Sequence, residues 1–293
     1  MALPAISPYP MPGVADLPRN KVSWTPEPRR AALLIHDMQR YFLDAFATGQ
    51  SPVTELVANI QRLRSHCSAL GIPVVYSAQP GGQTPEQRGL LLDFWGPGIK
   101  GGPDQKKIVD ALTPGEGDIL LTKWTYSAFR RTELHDVMRE RGRDQLLICG
   151  IYAHIGCLQT ASDAFMSNVR PFLVADALGD FSLAHHQLAL SYAAQLCAVT
   201  TTTQQVIDAL GPALVNETAQ PLGRQRIREE VAELLQMSAA ELRDDENLLE
   251  RGLDSIRIMT LVERWRSAGA ELTFVDLAER PTLTEWFALL SAT

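Results

Sequence analysis

Ala31-Ala32-Leu33-Leu34-Ile35, closed by His36-Asp37-Met38-Gln39, sets the reading of the fold. Five apolar residues stand in a row, so an extended segment there is apolar on both faces. A strand of that kind belongs inside a sheet that is covered on both sides. Outward from it the same pattern recurs at Ile72-Pro73-Val74-Val75-Tyr76, Ile119-Leu120-Leu121, Leu146-Leu147-Ile148, Phe172-Leu173-Val174-Ala175 and Ala198-Val199. Stretches with helical spacing lie between these runs: Val53 to Leu70, Glu133 to Arg141, Cys157 to Asn168 and Ala184 to Gln195. Strand and helix in alternation predict an α/β fold, a parallel sheet with helices on both faces.

The alternation stops near Leu210. Gly211-Pro212 and Pro221 bracket the polar Asn216-Glu217-Thr218-Ala219-Gln220, which predicts a linker over 212–222 between a domain at 1–211 and a second at 223–293. Strand signals are absent from the second domain. Helices are expected over Arg224 to Leu235, Ser255 to Ser267 and, after Pro281, Thr282 to Ser291, with a short turn around Phe274 to Ala278. That is a small all-α bundle. The chain carries a net charge of −7, and from Pro221 onward it has nine arginines, no lysine and 14 acidic residues, a net −5. No basic face is offered to nucleic acid; a small acidic domain suits basic protein surfaces instead. Cys67, Cys149, Cys157 and Cys197 are scattered, without zinc-site spacing, and read as reduced thiols of a cytoplasmic protein. The Pro- and Ala-rich start, Met1 to Pro12, lacks a basic region and is not expected to be a signal peptide, and no run approaches the roughly 18 apolar residues of a membrane span.

In open parallel sheets ligands bind beyond the carboxyl ends of the strands. The residues there are His36-Asp37-Met38-Gln39, Ser77-Ala78-Gln79-Pro80, Lys123-Trp124-Thr125-Tyr126, Gly150-Ile151-Tyr152-Ala153-His154-Ile155-Gly156-Cys157 and Asp176. Asp37 and Lys123 fall at equivalent points of two strands. Facing one cleft, they would serve as acid/base and electrostatic stabiliser; a purely structural ion pair is the alternative.

Strand-Asp, strand-Lys and a Gly-rich turn into a helix resemble the isochorismatase-like hydrolases, which include nicotinamidases. The resemblance covers Val22 to Leu210. It extends through Gln79, Arg88, Trp95-Gly96-Pro97-Gly98, Lys123-Trp124-Thr125-Tyr126-Ser127-Ala128-Phe129 and Val174-Ala175-Asp176-Ala177. In that superfamily Asp, Lys and a Cys at the helix start form a catalytic triad. Here Gly156 takes the Cys position, and Cys157, one residue on, turns about 100° away round a helix and reads as a small buried side chain. The resemblance is therefore to the isochorismatases proper, which need no nucleophile. It implies hydrolysis of the vinyl ether of isochorismate to pyruvate and 2,3-dihydro-2,3-dihydroxybenzoate. Asp37 would be the general acid, with Lys123 and Gly156 completing the catalytic set. Gln79 and Arg88 would hold a carboxylate or ring hydroxyl, and Phe42, Trp95 and Tyr152 would wall the pocket. No metal is implied: the Asp and His site usual in nicotinamidases is not assembled from this sequence, His185-His186 read as surface or satisfied residues rather than ligands, and Asp163 and Asp176 read as structural.

In the second domain Asn247-Leu248-Leu249-Glu250-Arg251-Gly252-Leu253-Asp254-Ser255-Ile256-Arg257-Ile258-Met259 sets Asp254 as an N-cap with Ser255 first in the helix. Gly-Leu-Asp-Ser within an acidic domain is similar to the acyl and peptidyl carrier family. That resemblance implies 4′-phosphopantetheine esterified to Ser255, a docking patch of Met259, Phe274 and Ala278, and Ile258 in the core, with Met259 and Phe274 exposed. Together the domains resemble the bifunctional isochorismatase/aryl carrier proteins of catechol siderophore pathways, including Asn20-Lys21-Val22-Ser23-Trp24 before the first strand. The partners this implies are a phosphopantetheinyl transferase, an enzyme that adenylates 2,3-dihydroxybenzoate, a condensation enzyme and further copies of the chain. Two alternatives stand beside it: a nicotinamidase-like amide hydrolase, and a carrier or scaffold with an inert sheet domain. A nucleotide-binding fold is set aside because no G-x-G-x-x-G turn is present.

Overall fold

The structure, a computed structural model, describes residues 3–100, 102–212, 223–235, 237–267, 270 and 272–291. The chain forms two compact units, Met1–Ala213 and Leu214–Thr293. The stretch expected as a linker lies, from 213 to 222, outside the described residues.

Six strands build the first unit: β1 (Ala31–His36), β2 (Val74–Ala78), β3 (Ile119–Thr122), β4 (Gln145–Ile151), β5 (Arg170–Gly179) and β6 (Val199–Thr201). All pair in parallel, in the order β3-β2-β1-β4-β5-β6. The chain thus starts in mid-sheet, winds outward to β3, returns to the other side of β1 and winds outward again. The reversal between β1 and β4 opens a crevice at their carboxyl ends, and Leu33 sits opposite both Val74 and Leu147 in the register that brings those ends level.

Among the described residues nine α-helices accompany the strands: α1 (Arg40–Leu43), α2 (Val53–Ala69), α3 (Pro85–Arg88), α4 (Leu91–Trp95), α5 (Pro103–Lys106), α6 (Leu134–Glu140), α7 (Leu158–Met166), α8 (Leu183–Leu196) and α9 (Thr203–Leu210). Side chains alternate between the faces of β1. Ala31, Leu33 and Ile35 pack with Leu56, Ile60 and Leu63 of α2 and Val206 of α9. Ala32 and Leu34 pack with Leu134 of α6, Ala161 of α7 and Ala189 of α8. Both faces are covered, which is why the strand is apolar throughout.

β5 runs longer than its apolar core. Asp176 lies inside it rather than after it, because its carboxylate accepts from the Thr203 backbone N–H (2.7 Å) and hydroxyl (2.8 Å) at the start of α9. The residue beyond the strand end is Asp180.

Among its described residues the second unit has four α-helices: α10 (Arg224–Leu235), α11 (Ser255–Ser267), α12 (Phe274–Ala278) and α13 (Leu283–Ser291). Its core centres on Trp265 and Trp286, packed edge to face at 5.6 Å. Each buried indole N–H has an acceptor, Glu230 at 2.8 Å and the Leu277 carbonyl at 3.2 Å, as buried tryptophans require. Among the described residues no helix is long and apolar enough to cross a membrane.

Candidate functional site

The crevice at the switch point is floored by residues that the strand ends deliver. Asp37 leaves β1 with φ of 50°, a conformation uncommon for a non-glycine residue and often found at functional sites. Its carboxylate accepts from the Ser77 hydroxyl (2.7 Å), from Lys123 Nζ (2.9 Å) and from Gln79 Nε2 (3.1 Å). Ser77 and Gln79 come from β2 and the residue beyond it; Lys123 follows β3, its N–H bound to the Ala78 carbonyl. Lys123 also donates to the carbonyls of Thr125 (2.5 Å) and Tyr126 (3.3 Å). Burial pushes the Asp37 carboxyl up, but Lys123, His36 and the Ser77 hydroxyl together outweigh it and hold the group below the ordinary carboxylate range. The free protein therefore presents an ionised Asp37 paired with Lys123.

His36 ends β1 beside them. Its Nδ1 meets the Ile151 carbonyl at 2.7 Å, and burial lowers its pKa to about 4, so the ring is neutral at physiological pH. Gly156 lies against this ring: a Cβ there would come within 2.2 Å of His36 Cε1. Gly156 belongs to one turn of π-helix, Ala153–Cys157, in which the Tyr152 carbonyl accepts from both Ile155 and Cys157 N–H groups. Cys157 is carried into the core on the opposite side of the sheet from α2, and burial pushes its thiol well above its ordinary range. It faces away from the crevice and is poorly suited to form a thiolate.

Arg88 closes α3 and is only 7% exposed. It donates to Gln79 Oε1 (3.2 Å), Gln83 Oε1 (3.1 Å) and the Gly96 carbonyl (3.0 Å). Gly98, at φ of +73°, makes room for the guanidinium, since a Cβ there would lie 2.8 Å from Arg88 Cζ. No ion pair links Arg88 to a carboxylate among the described residues, so its charge faces the cavity uncompensated.

The walls are aromatic. Phe181 stacks on Tyr152 at 4.2 Å and on Trp95 at 5.9 Å, and Phe42 meets Tyr152 edge on at 6.0 Å. Tyr152 spends its hydroxyl on the Phe42 carbonyl (3.0 Å), whereas the Tyr126 hydroxyl accepts from Trp95 Nε1 (2.7 Å) and keeps its own proton to donate. Together these residues enclose about 530 Å³, open mouth included.

The cavity brings together all eight sheet-domain residues expected from sequence: Asp37, Lys123, Gly156, Phe42, Gln79, Arg88, Trp95 and Tyr152. Sequence reasoning missed His36, Tyr41, Tyr126 and Phe181, which line it too. His36 and Tyr126 stand in quoted strand-end stretches, so position alone could have flagged them. A group of metal-ligating type, not assembled from sequence, does occur: His154, Asp180 and His185 place ligating atoms within 4.8 Å of one another. Asp180 is already spent, accepting from His154 Nδ1 (2.7 Å) and from the N–H groups of His154 and Phe181. The two imidazoles lie nearly parallel, 13° apart at 4.4 Å, an arrangement in which they cannot aim both lone pairs at one ion. His186 is buried and bonded to Tyr9 (3.2 Å) and the Ala175 carbonyl (3.0 Å).

In the second unit Ser255 is exposed at the start of α11, and Asp254 accepts from Arg257 N–H at 2.9 Å, capping the helix. An exposed hydroxyl there can take a phosphodiester, which the first-turn amides and the helix dipole favour. Ile258 is buried in the core. Met259 is exposed at 59%, but Phe274, expected to be exposed, is half-buried and packs on the core, as does Ala278. The apolar groups that do project are Ile256 (78%), next to the serine in the chain, and, on α12, Val275 (53%); the period of so short a helix left its outward face undecided in sequence.

Residues 31–205 match the isochorismatase domain family, and residues 225–290 match the phosphopantetheine attachment site family. The chain is 58% identical to an isochorismatase of Bacillus subtilis, over 99% of this chain and 96% of that protein. It is 46% identical to enterobactin synthase component B of Escherichia coli, over 99% of both. A cysteine hydrolase from Pseudomonas syringae superimposes with a TM-score of 0.60 over 66% of this chain and 97% of its own, at 24% identity, a likeness of fold. On these grounds the chain belongs to the isochorismatase family and ends in a phosphopantetheine-binding carrier domain.

Proposed function

We infer that the first unit hydrolyses the vinyl ether of isochorismate to pyruvate and 2,3-dihydro-2,3-dihydroxybenzoate, and that the second carries 2,3-dihydroxybenzoate on phosphopantetheine at Ser255. One observation supports this reading above the others. The Asp–Lys pair opens on the cavity beside Gly156, where His36 leaves no space for a cysteine side chain, and Cys157 faces the core. Amide hydrolysis through a thiolate has no nucleophile here. Acid-initiated cleavage of an enol ether needs none.

The substrate is a dianion with an electron-rich methylene. Arg88, buried without a carboxylate partner, takes one carboxylate by its bidentate fork. Stacked Trp95, Phe181 and Tyr152 flank the cyclohexadiene ring, and Tyr126 can donate to a ring hydroxyl. Asp37 gives its proton to the methylene carbon; the ether oxygen then shares the resulting positive charge, and the Asp37 carboxylate left behind stabilises it across the cavity. Water adds to the cationic carbon, and the hemiketal falls apart. Because Asp37 is ionised in the free protein, the second carboxylate of the bound substrate must offset Lys123 and restore the proton. No step calls on a metal.

On the second unit the group supplies a thiol for thioester carriage. The serine that holds it is flanked by Ile256, Met259 and Val275, which with Phe274 and Ala278 at the edge of the core form a docking face for the transferase, the adenylating enzyme and the condensation enzyme. The acidic balance of this unit suits basic partner surfaces. A cytoplasmic setting, with self-association through the sheet domain, completes the reading. Pyruvate release from isochorismate tests it: wild type should release pyruvate and Asp37→Ala should lose on the order of 100-fold or more. A wild type that releases none would reduce the sheet domain to a scaffold.

A further inference from the structure

His36 is 1% exposed and lines the cavity. The Ile151 carbonyl can only accept, so the 2.7 Å contact fixes the ring proton on Nδ1 and leaves a lone pair on Nε2. That Nε2 is buried and receives no hydrogen bond from any donor among the described residues; the Tyr126 carbonyl near the ring is an acceptor that only a protonated Nε2 could use. Buried acceptors are rarely left so without a functional reason. The groups around the ring are Asp37, whose Oδ1 lies 3.9 Å from Nδ1, the Lys123 ammonium beyond it, the Tyr126 carbonyl and the glycine at 156. Burial keeps the ring neutral, with a pKa of about 4. Position 156 has no side chain, and the space is filled by this imidazole.

We propose that His36 Nε2 accepts a proton from the water that captures the oxocarbenium carbon, so that Asp37 serves the methylene and His36 the nucleophile. This rests on the vinyl-ether reading above. The Asp37 O–H bond breaks and its proton joins the methylene carbon through the vinyl electron pair. A water lone pair forms the new C–O bond while one water proton passes to Nε2. The hemiketal hydroxyl then returns a proton to the Asp37 carboxylate and becomes the ketone of pyruvate. The bond from that carbon to the ring oxygen breaks, the pair stays on the ring oxygen, and this oxygen takes the proton from His36. Both side chains regain their starting states and one water is consumed. A weak base suffices, because the water attacks a cation and sheds its proton late.

The experiment is His36→Asn, whose amide nitrogen can reach the Ile151 carbonyl as Nδ1 does but which offers nothing in the place of Nε2. Pyruvate release is followed in H₂O and D₂O, with unreacted isochorismate recovered. The expected result is a kcat lower by on the order of 100-fold, an unchanged KM, and deuterium in the methylene of recovered substrate, because protonation now reverses before water captures the cation. His36→Gln, whose amide oxygen reaches the place of Nε2, should recover part of the loss; no recovery in a folded His36→Gln overturns the proposal. An unchanged kcat, a raised KM alone, or a slow variant whose recovered substrate holds no deuterium each overturns it while the hydrolase reading stands. A wild type that releases no pyruvate overturns both.

Discussion

As the proposed general acid, Asp37 has to donate a proton that it lacks in the free protein. Lys123 at 2.9 Å and the Ser77 hydroxyl at 2.7 Å keep its carboxyl ionised at neutral pH despite burial. Substrate binding must supply the proton, and that has a measurable consequence. A dianionic analogue with a saturated side chain in place of the enolpyruvyl methylene should take up close to one proton on binding at pH 7. The measurement is binding calorimetry in buffers of different ionisation heat, and Asp37→Asn should take up none. Equal heats across buffers for the wild type would assign the acid elsewhere. Gly156 is the other residue on which the proposed chemistry turns. Its missing Cβ is the space His36 Cε1 occupies, and His36 is held from the far side by Ile151. Gly156→Ala should cost about 1–3 kcal/mol of stability by overpacking and abolish most pyruvate release; an alanine variant of full activity would show that the ring can move aside.

At the scale of elements, what was legible in sequence followed from burial. Strands covered on both faces read as unbroken apolar runs, and all six begin within two residues of the run that announced them. β4 and β5 outran their runs, because Gly150 and Asp176 are accommodated by partners far along the chain: His36 packs over the glycine and Thr203 of α9 binds the carboxylate. The end of β5 was thereby misplaced, and Phe181, the central plate of the aromatic wall, went unread. The mouth helices α3 and α4, of four and five residues, are too short to show a period. Arg88 and Trp95 were found by resemblance alone; a lone Arg and a lone Trp carry no spacing signal. α8 supplies its own test. His186 is buried and neutral, its pKa lowered to about 4 chiefly by burial, and His36 behaves alike. Between pH 6.5 and 4 the unfolded chain binds protons that the fold refuses, so stability must fall as pH drops through that window. Each histidine contributes a loss of about 2 kcal/mol at pH 5 relative to pH 7. Urea unfolding of the first unit should show its midpoint falling between those pH values, and His186→Gln should flatten the fall by roughly half; an unchanged slope would mean that His186 titrates normally in the fold.

At the scale of the molecule, two units with separate cores imply two separable activities. Ser255 is an exposed cap-adjacent hydroxyl that no core contact uses, so Ser255→Ala should leave pyruvate release unchanged. The same variant, incubated with coenzyme A and a phosphopantetheinyl transferase, should show no added mass by intact-protein mass spectrometry, while Asp37→Ala gains it in full. Charge separates the activities further. From Pro221 onward the chain holds a net −5 of its −7, and encounter with a basic partner surface is screened as the Debye length shrinks from about 10 Å at 0.1 M salt to about 3 Å at 1 M. On the proposed reading the small dianionic substrate, by contrast, is held by Arg88 within a partly enclosed cavity, where screening is weaker. Raising salt across that range should therefore depress kcat/KM for loading of the carrier severalfold, through the on-rate, and affect pyruvate release less. Equal salt dependence of the two would argue that docking rests on Ile256, Met259 and Val275 rather than on charge, and Met259→Ala would then slow loading where added salt does not.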